Sequence, residues 1–198
     1  SLQRFTYENP GKMMFVGAVS VNIEDRIGGS LHYKPYTDKH AVHTAWGIRL
    51  RTDKIDAFAK TGFTLADGQS VGIQYKYTYH HQRGDIGLKR YDATEHFGYL
   101  NVIFQHEKKA GGDLIKAGVS LQLNSVREKL DDLLLQRMEV VPGIFGEANV
   151  HFGADKQVML TAGIRADYHN LYGALASPRV NLKWRIIYGL YLCVAEGR

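Results

Sequence analysis

Ser70-Val71-Gly72-Ile73-Gln74-Tyr75-Lys76-Tyr77-Thr78-Tyr79 alternates without a break between apolar or aromatic and polar or small side chains. A strand points successive side chains to opposite faces, so this decapeptide has one aliphatic-aromatic face and one polar face. The same pattern returns along most of the chain, with short and long connections taking turns. That recurrence is the signature of a transmembrane β-barrel.

On the N-terminal side, Phe5 and Tyr7 oppose Arg4, Thr6 and Glu8, and Asn9-Pro10-Gly11-Lys12 reads as a tight turn. A second strand, from about Met14 to Glu24, sets Phe15, Val19, Val21 and Ile23 against Ser20, Asn22 and Glu24. The third is irregular. Trp46, Ile48 and Leu50 share one parity and Ala57, Ala59, Phe63 and Leu65 the other, which predicts a β-bulge near Thr52-Asp53-Lys54 in one long strand.

On the C-terminal side, Leu100, Val102 and Phe104 alternate with Tyr99, Asn101 and Gln105, and Ile115 to Leu123 alternates with Lys116 to Gln122. Strands around Ile144–Val150, Val158–Ala166 and Val180–Trp184 follow, and a tenth begins near Leu190. Short turns are expected near 9–12, 66–69, 107–112 and 153–156. Long polar loops are expected near 25–45, 80–95, 124–137 and 169–177. Leu130, Leu133 and Leu134 stand at helical spacing, which predicts a helical turn in the third of these loops.

Nearly every ionised strand residue lies on the non-aliphatic face: Glu24, Lys76, Lys116, Glu147, Arg165, Asp167, Arg179 and Lys183. A Lys or Arg facing lipid at mid-membrane costs roughly 2–4 kcal/mol, whereas a water-filled or plugged lumen accepts it. Lys76, Lys116, Glu147, Arg165, Asp167 and Arg179 are therefore expected to face the lumen. An amphipathic soluble sheet gives the same alternation within one strand. It does not call for strands of ten to twelve residues or for alternating connection lengths.

The chain has 198 residues, 21 of them Gly, 4 Pro and 12 Tyr, and a formal net charge of +5. Its Lys and Arg are dispersed among 20 acids, so the basic balance marks no nucleic-acid surface. One cysteine, Cys193, excludes an internal disulfide framework. No apolar run is long enough for a membrane helix. No nucleophile elbow, P-loop, dinucleotide fingerprint or zinc-protease helix occurs, and the strand carboxylates are scattered singly, so the sequence predicts neither an enzyme nor a bound cofactor. His40, His43, His80 and His81 are the loop residues most open to ligand contact, and solvated histidines explain them equally well. Chance accounts for the adhesion-like tripeptide Arg83-Gly84-Asp85. With no signal peptide and strands at both ends, the chain reads as a piece of a larger barrel.

Specific runs carry a resemblance. Val140-Val141-Pro142-Gly143-Ile144-Phe145-Gly146-Glu147 resembles the "EVVPGAFAEY" strand of TonB-dependent outer-membrane receptors, particularly those of Bacteroidetes-type bacteria. Leu160 to Asn170 is similar to their "L-x-A-G-x-R-x-D-x-H-N" strand, and Tyr172-Gly173 through Ser177-Pro178-Arg179-Val180-Asn181-Leu182-Lys183-Trp184 to "YG…TPRLHLKY". Lys60-Thr61-Gly62-Phe63 and Tyr77-Thr78-Tyr79-His80-His81-Gln82 resemble "KTGY" and "SYxHHQ". The segment from Ile186 to Arg198 departs from the strand expected there.

The resemblance implies that residues 1–198 belong to the middle of a 22-stranded receptor barrel in the bacterial outer membrane. An N-terminal plug domain and a TonB box would lie outside the chain. It further implies TonB-energised uptake of a scarce ligand such as a ferric siderophore or cobalamin. A passive porin-like barrel and a soluble β-sheet binding module are the readings that stand beside it.

Overall fold

In the computed structural model, residues 1–34, 45–108, 112–153, 156–187 and 190–197 are described. They form ten strands: β1 (Leu2–Asn9), β2 (Met13–Gly29), β3 (Gly47–Ala66), β4 (Gln69–Ile86), β5 (Lys89–Glu107), β6 (Leu114–Leu130), β7 (Leu133–Phe152), β8 (Val158–His169), β9 (Gly173–Ile187) and β10 (Leu190–Gly197). Each pairs antiparallel with its sequence neighbour, in the order β1 to β10, in one open sheet. No helix occurs among the described residues.

The first turn forms as its residues require. Pro10 and Gly11 take the two central positions, Gly11 has φ +71°, and Lys12 N–H donates to the Asn9 carbonyl at 3.0 Å. At the opposite end of the sheet the strands outrun the sequence expectation. Residues 80–95 are not a loop: β4 and β5 continue through them and reverse at Gly87-Leu88. Likewise 124–137 holds β6, β7 and a two-residue turn at Asp131-Asp132, with no helical turn. Leu130 and Leu133 face each other across that turn as the last ladder pair. In 169–177 only Asn170 to Tyr172 lie between strands, and β2 runs on to Gly29.

These extensions carry polar residues on both faces, so hydrophobic alternation cannot reveal them. The backbone ladder holds them nonetheless. Asp131 adds a cross-link between hairpins: its N–H donates to the Arg90 carbonyl at 2.9 Å, and its Oδ1 accepts from Arg90 N–H at 2.7 Å.

The expected bulge near Thr52-Asp53-Lys54 is also absent. β3 pairs in unbroken register with β2 from Gly47 to Phe63, and the shift against β4 falls between Thr64 and Ala66. The change of parity is one of side-chain type along a regular strand. Arg49, Arg51 and Asp53 occupy the face that Ala57, Ala59 and Phe63 occupy lower down.

The register gives the sheet two distinct faces. Val19, Ala57 and Tyr77 are level on the apolar face, as are Val71, Phe104 and Ala117. On the even-numbered strands the unbroken apolar run of this face ends at Ile23 on β2, Tyr79 on β4, Leu123 on β6 and Tyr168 on β8; Ile27 on β2 and Met138 on β7 are apolar residues set above that line. Tyr79 stands level with Val21, and Leu123 with Tyr77. Tyr168 follows Asp167, which is level with Ser120, so it aligns with Leu121. The boundary thus descends two residues for every two strands.

Neither face is covered. The chain exposes 13917 Å², against about 9,400 Å² for a folded monomer of its mass. Among the described residues the buried hydrophobics are only Ala18 and Tyr33. The least exposed polar residues, Thr52, Thr78, Asn101, Ser120 and Thr161, all lie on the polar face. The polar face is therefore the more crowded of the two.

Hydrogen exchange in the folded chain distinguishes hairpins from loops. Amides of residues 80–82, 93–95 and 124–126 are expected to be protected like those of the central strands, whereas loop conformations there would exchange freely.

Candidate functional site

The polar face carries the chemistry, because strand alternation collects there the charged side chains that the apolar zone of the other face lacks. Lys76, Lys116, Glu147, Arg165, Asp167 and Arg179 all fall on it, on β4, β6, β7, β8 and β9. They do not converge on one centre. They form local pairs spread along that face, with Glu147, Arg165 and Arg179 about one hollow.

The tightest cluster spans three strands. Arg165 on β8 donates from Nε to Asp167 Oδ2 at 2.7 Å and from Nη2 to Asp167 Oδ1 at 2.6 Å. Its Nη2 also donates to Ser120 Oγ on β6 at 2.8 Å. β7 lies between, and the side chains meet over Gly143. A Cβ there would stand 2.0 Å from Asp167 Oδ1 and 2.9 Å from Arg165 Nη2 and Ser120 Oγ. The Arg165 guanidinium also lies over the Phe145 ring, 5.9 Å from its centroid. Both carboxylate oxygens of Asp167 are engaged by the charged fork, so the pair is largely closed on itself.

Lys116 and Glu147 are direct ladder partners at 3.5 Å. The Lys76 ammonium lies over Phe97 at 5.8 Å. With its amide oxygen turned to the guanidinium, Asn181 accepts from Arg179 Nε at 2.8 Å. Further up, Thr78 Oγ1 donates to Asp56 Oδ1 at 2.7 Å, and Lys54 sits 3.1 Å from the same carboxylate. Toward the long-hairpin end, burial and the Glu128 carboxylate hold the Tyr91 phenol above its usual range.

A hollow of about 640 Å³ opens on this face between β5 and β10, lined among others by Asn101, Phe145, Glu147, Arg165, Arg179 and Asn181. Asn101 is 7% exposed and its Oδ1 has no partner among the described residues. The hollow offers guanidinium donors, a carboxylate and an amide acceptor around an aromatic floor. It is a surface suited to holding a polar body.

The histidine candidates separate. His40 and His43 lie outside the described residues. His80 and His81 are not in a loop: both are in β4, where adjacent residues face opposite sides, so the two cannot share a ligand. His80 lies 3.9 Å from Glu95 on the polar face, and His81 3.4 Å from Asp92 on the apolar one. Among the described residues no three His, Cys, Asp or Glu side chains stand together as a metal site. Arg83-Gly84-Asp85 is built into the β3–β4 ladder.

Ser120, Gly143, Phe145 and Asn101 belong to the site and escape sequence reasoning, since only register shows that Ser120, Gly143 and Asp167 share a row. The usable signal is a Gly on the polar face beside an Arg-x-Asp strand. No protein-family model matches the chain, and no curated protein matches it.

Gly143→Ala is expected to force the Arg165–Asp167–Ser120 cluster apart and destabilise the fold by about 1–3 kcal/mol. Gly72→Ala, with nothing within 4 Å of its Cβ, should change little. Urea-unfolding midpoints of the two variants check this.

Proposed function

We propose that the chain is a wall segment of a TonB-dependent outer-membrane receptor, a barrel that takes up a scarce ligand such as a ferric siderophore or cobalamin. The observation that carries the membrane part is the descent of the apolar boundary across the even-numbered strands, from Ile23 to Tyr79, Leu123 and Tyr168. One residue of about 3.3 Å per strand spacing of about 4.8 Å is the drift produced by strands inclined ~35° across a slab of fixed orientation. Transmembrane barrels tilt their strands by about 35–45°.

The height of the zone agrees. Val71 to Tyr79 spans about 27 Å along the strand, or ~22 Å across a slab at that tilt, near the ~25 Å of a barrel's apolar band. Tyr77 and Tyr79 stand at its upper rim, where amphipathic rings favour the interface. Above them Asp25, Arg51, Asp53, Arg83 and Asp92 occupy the same face. A lone soluble module would have to cover one face with a second layer, and Val119 and Ile144 on the apolar face are 54% and 62% exposed.

The receptor assignment within membrane barrels rests on the runs around Val140–Glu147, Leu160–Asn170 and Ser177–Trp184, which resemble strands of that family. The paired charges of the polar face then line the lumen. They form a satisfied wall against which a plug carrying the TonB box can seat. The long hairpins over β4–β5 and β6–β7 stand on the extracellular side and take part in ligand capture.

Val119→Arg, at the centre of the apolar zone, is expected to cost roughly 2–4 kcal/mol and to abolish assembly into a heat-modifiable, protease-resistant outer-membrane form. Gln122→Arg, on the polar face, should assemble normally. A detergent-free monodisperse monomer with native β-sheet circular dichroism would overturn the membrane reading. A full gene without an upstream plug and TonB box would replace the receptor by a passive porin.

A further inference from the structure

On the apolar face, just above the aromatic rim, β5 presents Thr94 and, two pairs lower, Gly98 between larger side chains of β4 and β6 and so forms a shallow track. Thr94 is the short side chain at its head. It is flanked directly by His81 on β4 and Arg127 on β6, and diagonally by Arg83 and Lys129. Arg83, Arg127 and Lys129 are exposed. The carboxylate in this patch, Asp92, sits between Arg83 and Lys129 and lies 3.4 Å from the His81 imidazole. Three permanent cations therefore surround a hydroxyl with one nearby carboxylate, which itself meets a histidine.

Below Thr94 the track continues downward. His96 leans toward β4: its Nδ1 is 2.9 Å from Tyr77 Oη, and its ring is 5.2 Å from that of Tyr79. That leaves the β6 side open over Ser125. Next comes Gly98, level with Tyr77 and Leu123, where an added Cβ would meet only Leu123 Cβ, at 3.9 Å. The track is thus cationic and hydroxylic at the top, aromatic at the rim and apolar below, in the order in which a membrane lipid presents phosphate, ester region and acyl chain.

Resting on the membrane reading above, the geometry points to a binding site for one anionic phospholipid along β5. Its phosphate sits over Thr94 within reach of Arg83, Arg127 and Lys129, and an acyl chain lies over Gly98 between Tyr77 and Leu123. Strand spacing of about 4.8 Å puts β4 and β6 ~10 Å apart, a gap that Arg and Lys side chains on both sides can close upon a single phosphate. Polar contact and chain packing act together, so the lipid is held where a free anion is not.

The test uses the intact protein in phosphatidylcholine vesicles containing a minority of phosphatidylglycerol, extracted in mild detergent and read by native mass spectrometry. One retained phosphatidylglycerol per chain is expected. At the per-cation worth typical of a membrane surface, Arg127→Ala with Lys129→Ala should weaken retention about thirtyfold. Gly98→Leu, which fills the track and leaves the charges, should weaken it as well, and Lys60→Ala on the polar face should not. Equal retention by the wild type and the double variant, or displacement of the lipid by millimolar inorganic phosphate, would overturn the site while leaving the membrane reading intact. Failure to enter the vesicles would overturn both.

Discussion

The whole structure depends on the unbroken antiparallel ladder, in which each strand finds both backbone partners in its immediate sequence neighbours. From β2 to β9 no strand relies on a distant part of the chain for its hydrogen bonds. A ladder of this kind settles which face every side chain occupies, because a one-residue slip would move an entire strand's apolar set to the other side. It also leaves the two faces with nothing to pack against inside the chain. Ordinary domains solve that with a second layer. Here the aliphatic face is large and bare among the described residues.

That constraint explains the contrast between the faces. The apolar face needs only bulk and no partners, so Val, Ile, Leu, Tyr and Ala interchange along it. The polar face gathers its polar groups in specific pairs, within β8 for Arg165 and Asp167 and across strands for Arg165 with Ser120, Lys116 with Glu147 and Thr78 with Asp56. Gly143 is the condition for the first of these. Any side chain at that position would occupy the space where the groups from β6 and β8 meet.

Much of this was legible in the residues, and the limit of legibility has a physical edge. Val71 to Tyr79 and Ile115 to Leu123 announce strands because one face is apolar and the other is not. Once a strand leaves that environment both faces become polar, and the periodic signal vanishes while the backbone pairing continues. Residues 80–95 and 124–137 therefore read as loops although the ladder runs to within one residue of Gly87 and of Asp131. The change of parity in β3 had the same origin. Arg49 and Arg51 lie on the same face as Ala57 and Phe63 but higher along it, so a change of surroundings imitates a bulge.

The amino-acid order by itself determined the strand class, a count of about nine or ten strands, the tight turn at Asn9–Lys12 and the membership of the polar face, because these follow from local φ preferences and a period of two. Tertiary structure alone decided how those strands align. Register set the level of Ser120 against Gly143 and Asp167 and the slope of the apolar boundary from Ile23 to Tyr168. Such alignments are relations between strands far apart along the chain. No side chain states them alone; they exist only when every ladder pair is made at once.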